Sequence, residues 1–396
     1  MKKILFFFPL NPITKDAGCK TRVLKLLEYF KLRAFQVDFV GLEYWDNWTE
    51  DGVQDLKDSG LIHHLFLFPA SPATKPNLLT RILKKRSPAN RFQKKLKIEG
   101  ALPNFTTYHI KTLFETLLKQ TNYDYLLISY AYWADLISNN KYLGETKTII
   151  DTHDLLTSQV QSQKGISIGK SLEEELRRLS IFDEVWAIST DEQYLFGQFL
   201  QNKVSLIPMG FNSPVYGHSQ AENKKYDLIY VASDNENNRN SIQWFFNQVY
   251  PKLNKGLIIC IIGKISNFID DYPGVIKIPF ADDLDAHYRK AKIALCPMLA
   301  GTGIKVKVIE ALSYSLPVVC TFRGIDGLPN KINNGCLVSD EASIFASNIK
   351  FLMEDSELYE KQSLLAKEMF EAAFETTVCH KLLDISFDVS KPYSSS

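Results

Sequence analysis

The chain alternates short apolar runs with longer amphipathic stretches, a pattern typical of parallel strands that are linked by helices. In the first half the apolar runs predict strands at Ile4–Phe8, Gln36–Val40, Leu65–Phe68, Tyr125–Ser129, Thr148–Asp151, Glu184–Ile188 and Val204–Ile207. The amphipathic stretches predict helices at Lys20–Leu32, Asn104–Lys119, Lys170–Ile181 and Asp191–Leu200. The first half of the sequence therefore predicts an α/β domain with a mostly parallel sheet.

A polar segment from Asn212 to Lys225 interrupts this pattern, and its Pro214 and Gly217 favour a linker. The alternation then restarts, with strands predicted at Asp227–Ala232, Leu257–Ile262, Val275–Ile278, Ile293–Cys296 and Pro317–Thr321. Helices are predicted at Ser241–Leu253, Asp283–Lys290 and Val306–Ser313, and again from beyond Val338 to about Ala373. Since 396 residues exceed one ordinary core, we predict two Rossmann-like domains, residues 1–212 and 213–374, facing each other across a cleft. A C-terminal helix at about 375–396 is expected to pack back on the first domain.

The composition limits the kinds of partner that the chain is expected to bind. Lys and Arg total 46 against 45 for Asp and Glu, so the net charge of +1 gives no reason to expect a nucleic acid partner. Six cysteines without a CxxC pair are interpreted as small buried side chains rather than a disulfide or metal framework, which fits a reducing, cytoplasmic compartment. The apolar run near Met1 is short and is broken at Asn11-Pro12, so it predicts a first strand rather than a signal peptide.

A basic segment, Lys75 to Lys97, carries nine Lys and Arg side chains and no acidic one; they are Lys75, Arg81, Lys84, Lys85, Arg86, Arg91, Lys94, Lys95 and Lys97. Apolar residues lie between them, as in a helix that rests on an anionic membrane surface. A solvated loop and a surface for an acidic acceptor or partner are the alternatives. The sequence itself leaves these three interpretations open.

The most informative motif runs from Pro297 to Leu312. A strand is predicted to end near Pro297, a loop with Gly301 and Gly303 follows, and a helix begins around Gly303–Lys305. Exposed N–H groups of a glycine-rich loop at a helix start bind anions, and Lys305 adds a positive charge. Glu310 follows on that helix and carries a carboxylate suited to two neighbouring ribose hydroxyls. The motif therefore predicts a nucleoside diphosphate site.

This segment, with Pro317-Val318-Val319 and Gly324 to Leu328 after it, closely resembles the donor-binding segment of family 4 retaining glycosyltransferases. The resemblance implies the GT-B fold, a nucleotide-sugar donor of UDP or GDP type, and sugar transfer with retention. It implies that Glu310 holds the ribose and that the loop 301–305 (Gly301, Thr302, Gly303, Ile304 and Lys305) faces the diphosphate and the sugar. Ser233 and Gly263 match the turns after the first two strands of the donor domain.

The first domain resembles the family less closely. Gly18 and Arg22 match the glycine-rich loop after the first strand and are expected near the donor phosphates, Arg22 having a surface salt bridge as its alternative. The family often has a histidine after the strand matching Tyr125–Ser129, where this chain has Tyr130-Ala131-Tyr132-Trp133. This aromatic cluster is interpreted as part of the hydrophobic core or, alternatively, as a surface on which a carbohydrate ring stacks. The nearest candidate histidine is His153, which Asp151 or Asp154 is expected to orient toward a sugar hydroxyl.

The family also often carries a glutamate where this chain has Thr302, a difference that we interpret as a subfamily mark. Lys307 is predicted to be solvated, and no metal is expected, because Lys305 and the helix start stabilise the leaving diphosphate. The expected acceptor is a saccharide, a lipid-linked glycan or a protein-linked glycan. Two alternatives stay open: a non-catalytic GT-B subunit that binds an acceptor or partner transferase, and a nucleotide-sugar epimerase on the same fold.

Overall fold

The computed structural model describes residues 1–15, 17–71, 87–214, 224–301 and 303–389. The chain divides into two compact units. The first contains Met1–Ile188 and Glu192–Leu206, and the second contains Ser189–Asp191 and Ile207–Ser396. Most of the predicted linker, residues 215–223, lies outside the described residues.

The first unit is built on a parallel sheet of seven strands in the order β3-β2-β1-β4-β5-β6-β7. The strands are β1 Lys3–Phe7, β2 Gln36–Leu42, β3 His64–Phe68, β4 Tyr125–Ser129, β5 Lys147–Asp151, β6 Glu184–Ala187 and β7 Lys203–Leu206. Strands β1 and β4 are fully buried apart from the first residue of β1, because helices cover a parallel sheet on both faces.

Seven helices of the first unit's sequence lie within the described residues. They are α1 Gly18–Leu32, α2 Glu50–Asp58, α3 Pro88–Leu96, α4 Tyr108–Gln120, α5 Leu156–Val160, α6 Ile168–Leu179 and α7 Thr190–Phe199. The sequence patterns missed α2, α3 and α5. Helices α2 and α3 bury little apolar surface, so their start is set by caps: Thr49 accepts from the N–H of Gly52, and Ser87 accepts from that of Asn90.

The second unit repeats the plan with six parallel strands in the order β10-β9-β8-β11-β12-β13. The strands are β8 Tyr226–Val231, β9 Ile259–Ile262, β10 Val275–Ile278, β11 Ala291–Cys296, β12 Val318–Cys320 and β13 Cys336–Val338. The helices are α8 Glu236–Trp244, α9 Leu284–Arg289, α10 Val306–Ser313, α11 Ala342–Glu354, α12 Ser356–Ala373 and α13 Thr376–Ser386. Two α/β units with parallel sheets are the fold class that the sequence predicts, and this prediction is confirmed.

One predicted helix, Ser241–Leu253, is wrong in its bounds and its form. Helix α8 begins five residues earlier, where the Asn235 side chain accepts from the N–H of Asn238. It continues into a π-helical turn at Phe245–Val249 and a 3-10 turn at Tyr250–Lys252, because Pro251 lacks the N–H group of a regular helix.

All six cysteines are free, and Cys260, Cys296, Cys320 and Cys379 are buried, so no disulfide forms and most of them serve as small core residues. Within the described ranges, no helix is both long and apolar enough to cross a bilayer. Helix α13 meets the second unit through the Phe211–Glu375 bridge and the Thr376 N–H to the carbonyl of Phe211. Its predicted packing on the first domain stays a prediction.

Candidate functional site

The motif from Pro297 to Leu312 lies where the strand order of the second sheet reverses. Strands β8 and β11 are neighbours, and the chain leaves β8 toward β9 and β10 but leaves β11 toward β12 and β13. Loops 232–235 and 297–305 follow these two strands. Ligands of open parallel sheets bind beside such a reversal, at the carboxyl ends of the strands. The strand order therefore places the glycine-rich loop at the expected ligand position of this unit.

The glycine-rich loop leads directly into α10. Gly301 and Gly303 have φ angles of 101° and 70°, a region that favours glycine, and Lys305 is the N-cap residue of α10. The Lys305 side chain is buried, and its Nζ donates to the carbonyl of Gly303 at 2.6 Å and to that of Gly301 at 3.4 Å. Its charge thus lies at the loop, as the motif predicts. Ile304 is half-buried beside it, and Thr302 lies outside the described residues.

Lys307 contradicts the prediction that it is solvated. Its side chain is half-buried, and Nζ donates to Oδ1 of Asn238 at 2.8 Å. The same ammonium group lies 4.7 Å from the centre of the Tyr230 ring. Burial lowers the pKa of Lys307. The prediction failed because helix spacing turns Lys307 away from Lys305, and the face it turns to is covered by β8 and α8.

Asn238 joins this lysine to the other loop of the strand reversal. It is buried, and its Nδ2 donates to the carbonyl of Ser233 at 2.9 Å. Ser241, one turn further along α8, accepts from the N–H of Leu299 at 3.2 Å. Helix α8 thus holds both loops. Ser233 takes part through its carbonyl and through its hydroxyl, which accepts from Nδ2 of Asn235 at 3.3 Å and from Nδ2 of Asn238 at 3.5 Å. Its predicted contact with the donor stays a prediction.

Glu310 lies on α10, half-buried, with Oε2 accepting from the hydroxyl of Tyr288 at 3.2 Å. The Tyr288 ring stacks on Tyr314 at a centroid distance of 5.0 Å, which fixes the hydroxyl that orients the carboxylate. Burial, with the Glu310 charge second, raises the pKa of Tyr288 well above its usual range, so the phenol stays a donor. Nothing in the sequence pattern had indicated Tyr288.

Gly263 ends β9 with a φ angle of 103°. A Cβ at this position would lie 2.1 Å from the carbonyl oxygen of Ala232, so the close approach of the loops after β8 and β9 requires glycine. The prediction that Gly263 contacts the donor stays a prediction, since the observed requirement is one of packing.

The first sheet has its own strand reversal, between β1 and β4. The loop after β1 ends at Gly18, the first residue of α1, and a Cβ there would meet no atom within 4 Å. Gly18 therefore lies beside open space at the carboxyl edge of the sheet. Its predicted contact with donor phosphates is compatible with that position and stays a prediction.

Arg22, one turn into α1, forms a buried ion pair with Asp151 at the end of β5. Arg22 is 2% exposed and Asp151 is fully buried; Nη2 lies 2.8 Å from Oδ1, and Nε lies 2.8 Å from Oδ2. Although burial alone would raise it, the pKa of Asp151 is lowered by the Arg22 and His153 side chains. The alternative of a surface salt bridge for Arg22 is wrong, because this pair lies in the interior. Its predicted phosphate contact would compete with Asp151.

His153 completes this cluster. Its ring is 4% exposed and lies between Tyr130, at 4.3 Å from ring centre to ring centre, and Phe8, at 5.9 Å. Nε2 lies 3.3 Å from Oδ2 of Asp151 but has no hydrogen-bond partner among the described residues, so the prediction that Asp151 or Asp154 orients the imidazole stays a prediction. Burial lowers the pKa of His153 to about 4, which keeps the ring neutral at physiological pH. The sequence predicts that the His153 ring lies at a strand end that faces a ligand. Its contact with a sugar stays a prediction.

Glu192 is a buried carboxylate that the sequence patterns did not single out as a site residue. It accepts from the N–H groups of Ile188 and Leu155, both at 3.2 Å. Burial, with Asp154 second, raises the pKa of Glu192 to about 8.

In the aromatic cluster, Trp133 is 1% exposed and belongs to the core, as one of its two interpretations holds.

No group of three or more His, Cys, Asp and Glu side chains is arranged to hold a metal ion in the part of the chain that the structure describes. Two pairs of adjacent aspartates, Asp270-Asp271 and Asp282-Asp283, each include a residue with a local structural role. Asp283 caps α9 by accepting from the N–H of Ala286, and Asp271 lies 2.6 Å from the ammonium of Lys277.

Together, the two parallel-sheet units and the loop before α10 define the GT-B class of fold. Residues 225–355 match the family model described as Glycosyl transferases group 1, and they contain Ser233, Gly263, the loop 301–305 and Glu310. The chain is similar over 98% of its length to sucrose-phosphate synthase from Thermosynechococcus elongatus, with a TM-score of 0.69, 15% identity and 99% of that chain covered.

Two further solved structures are similar over nearly the whole chain. HepE from Anabaena, in complex with UDP, has a TM-score of 0.67 at 13% identity, with 98% of this chain and 100% of HepE covered. TarM has a TM-score of 0.68 at 12% identity, with 97% and 98% covered. A 44.6 kDa protein from the cps region of Klebsiella pneumoniae, described as uncharacterized, is 28% identical over 128 residues. That match spans 28% of this chain and 33% of the relative.

Proposed function

We propose that this chain is a glycosyltransferase that moves a sugar from a nucleotide diphosphate sugar, of UDP or GDP type, to a saccharide, lipid-linked or protein-linked acceptor in glycan biosynthesis. The observation that carries the proposal is the position of the loop 301–305 and the start of α10 beside the β8–β11 reversal, within residues 225–355. The family-type motif favours retention at the anomeric carbon and transfer of a hexose.

The proposed donor site binds the diphosphate at the start of α10. Free N–H groups and the positive end of the helix dipole attract an anion, and Lys305 adds a formal charge. When the sugar leaves, negative charge grows on the diphosphate, and donors already in place stabilise it. In the proposal, Lys305 Nζ exchanges its contacts with Gly301 and Gly303 for a phosphate oxygen, so the reaction proceeds without a metal ion.

Glu310 holds the ribose in this proposal. Its Oε2 is oriented by Tyr288, and a carboxylate accepts hydrogen bonds from two adjacent hydroxyls. A ribose presents two such hydroxyls side by side. Tyr288 then acts as the residue that keeps the carboxylate in one rotamer before the nucleotide arrives.

The first unit is proposed to bind the acceptor. Gly18 leaves open space at its strand reversal, and the Arg22–Asp151–His153 cluster lies at the carboxyl ends of the neighbouring strands. Because His153 is neutral and buried between two rings, we propose that it acts with Asp151 to shape this edge and to hydrogen-bond a sugar hydroxyl that reaches Nε2.

Contact with an anionic membrane through residues 75–97 is part of the proposal, with a location in the cytoplasm at the inner face of the membrane. Residues 75–86 lie outside the described residues. Helix α3 carries Arg91, Lys94 and Lys95, all exposed, and none of its residues is buried. Each exposed cation near such a surface adds on the order of 1 kcal/mol of attraction.

The decisive experiment is a thermal-shift screen of the purified chain against nucleotides and nucleotide sugars, followed by a transfer assay with the sugars that stabilise it. We expect a diphosphate nucleotide to stabilise the protein and the matching nucleotide sugar to lose its sugar. Product analysis then gives the anomeric outcome. If no nucleotide or nucleotide sugar binds, the enzyme proposal is wrong.

A second candidate is a non-catalytic GT-B subunit that binds an acceptor or a partner transferase. The observation that favours it is Tyr130, which occupies the place after β4 where a catalytic-side histidine is common in the resembled family, while His153 is buried. A chain that binds a glycan or a transferase but neither cleaves nor transfers from any nucleotide sugar would favour this alternative.

A further inference from the structure

Lys307 lies where the two loops of the second strand reversal meet. Its Nζ contacts Oδ1 of Asn238 at 2.8 Å, the hydroxyl of Tyr230 at 3.5 Å and Sδ of Met298 at 3.6 Å. Tyr230 belongs to β8, and Met298 follows β11. Lys307, on α10, therefore contacts β8, the loop after β11, and α8, which carries Asn238.

The direct contacts of the Lys307 ammonium are neutral groups, while the charges of Lys305 and Glu310 act on it without direct contact. Within the described residues, the contacts of Nζ are an amide oxygen, a phenol oxygen, a thioether sulfur and an aromatic face. A half-buried cation without a carboxylate in contact costs free energy in the unliganded protein. An anion that arrives beside it recovers that cost, which makes the arrangement typical of a site that waits for a negative ligand.

The partners of Lys307 are themselves fixed. Asn238 is 5% exposed, its N–H is capped by Asn235, and its Nδ2 donates to the Ser233 carbonyl at 2.9 Å. Ser241 holds the opposite loop through the N–H of Leu299. Moving Lys307 would therefore disturb the loop 232–235 through Asn238, and moving α8 would disturb the loop 297–305 through Ser241.

We propose that Lys307 is a positioning residue of the donor site, which fixes the spacing of the loops 232–235 and 297–305 and supplies a second, buried positive charge beneath the diphosphate. This inference rests on the proposed donor site and extends it. In the proposal, Lys305 contacts the phosphates directly. Lys307 acts without contacting them, through its hydrogen bond to Asn238 and through the electric field of its positive charge. A low local dielectric strengthens that field compared with a surface lysine.

The test compares four variants with the parent. Lys307→Met removes the charge and keeps the length of the side chain, and Lys307→Arg keeps the charge. Lys307→Gln removes the charge and keeps an N–H donor toward Oδ1 of Asn238, so the bond from Nδ2 of Asn238 to the Ser233 carbonyl is left in place. Lys367→Met on α12, where the side chain is 56% exposed, is the matched control for losing one lysine from the same unit.

Binding of inorganic pyrophosphate, UDP, GDP and uridine is measured by calorimetry, with circular dichroism melting as the control for folding. We expect Lys307→Met and Lys307→Gln to weaken diphosphate and pyrophosphate binding about tenfold, which corresponds to about 1.4 kcal/mol. Lys307→Arg should stay within about threefold of the parent. Lys367→Met should bind as the parent does, and uridine binding, where the parent shows it, should be equal in all.

The outcomes separate this inference from the proposed function. If the parent binds no diphosphate, both are overturned. If the parent binds but folded Lys307→Met and Lys307→Gln bind equally well, only the role of Lys307 is overturned. Should Lys307→Met fail to fold, Lys307→Gln decides alone, because it keeps a polar side chain beside Asn238.

Discussion

His153 should make a pH-dependent contribution to the stability of the first unit, in the same range in which Glu192, whose pKa is raised to about 8, contributes in the opposite direction. Its pKa falls from an ordinary value near 6.5 to about 4 in the fold, because the ring is buried. For a histidine with a lowered pKa, the unfolded chain binds the proton first, so stability is intact above pH 6.5 and is lost as the pH falls. The shift predicts a loss of about 2 kcal/mol between pH 7.5 and pH 5, and about 3 kcal/mol by pH 4.

The perturbation is His153→Phe, which keeps a ring between Phe8 and Tyr130 but cannot take up a proton. The positive φ of residue 153, 60°, makes the variant less stable at every pH, but this penalty does not change with pH. The free energy of unfolding is measured by urea titration from pH 7.5 to pH 4.5. We expect the difference between parent and variant to shrink by about 2.5 kcal/mol over this range, because the contribution of Glu192 is common to both. A difference that stays constant would refute the burial argument for His153.

Three further predictions concern other parts of the two units. Arg22→Met should cost about 3–5 kcal/mol of unfolding free energy, because it leaves the Asp151 charge buried without a partner, and the Arg22→Met/Asp151→Asn double variant should cost less than the sum of the single changes. Glu310→Ala should abolish the thermal stabilisation by a nucleotide that the parent shows, and full stabilisation in the variant would mean that the ribose is placed wrongly. Gly263→Ala should cost about 1–3 kcal/mol in chemical denaturation, because of its positive φ and the Cβ contact with the Ala232 carbonyl, and a neutral result would refute that requirement.

Much of the fold could be predicted because both sheets are parallel and buried on both faces. Buried strands of this kind read as continuous apolar runs, and Tyr125–Ser129, which is buried throughout, has the bounds that its run predicts. The elements that the sequence missed, such as α2 and α3, bury little apolar surface and so carry a weak periodic signal. Their starts depend on single capping residues, which also occur in loops.

The residues of the candidate site also divide into those that the sequence predicts and those that it misses. Gly301, Gly303, Lys305 and Glu310 lie within one short motif, and local chemistry is enough to connect them with an anion and a ribose. Tyr288, by contrast, reaches Glu310 from another helix. Contacts of this kind join residues that are far apart in the chain, and a single sequence carries no signal for the pairing.

Lys305, the N-cap residue of α10, and Lys307, on α10, show why reasoning from the motif alone fails when residues outside the motif determine burial. Lys305 and Lys307 have the same side chain and are two residues apart, so the sequence separates them only by the direction in which each points. The surroundings decide the rest: Lys305 meets the carbonyls of its own loop, whereas Lys307 meets Asn238 on α8. Because α8 is placed by its packing on β8, the surroundings of the Lys307 charge are a property of the folded unit, and the motif alone does not indicate them.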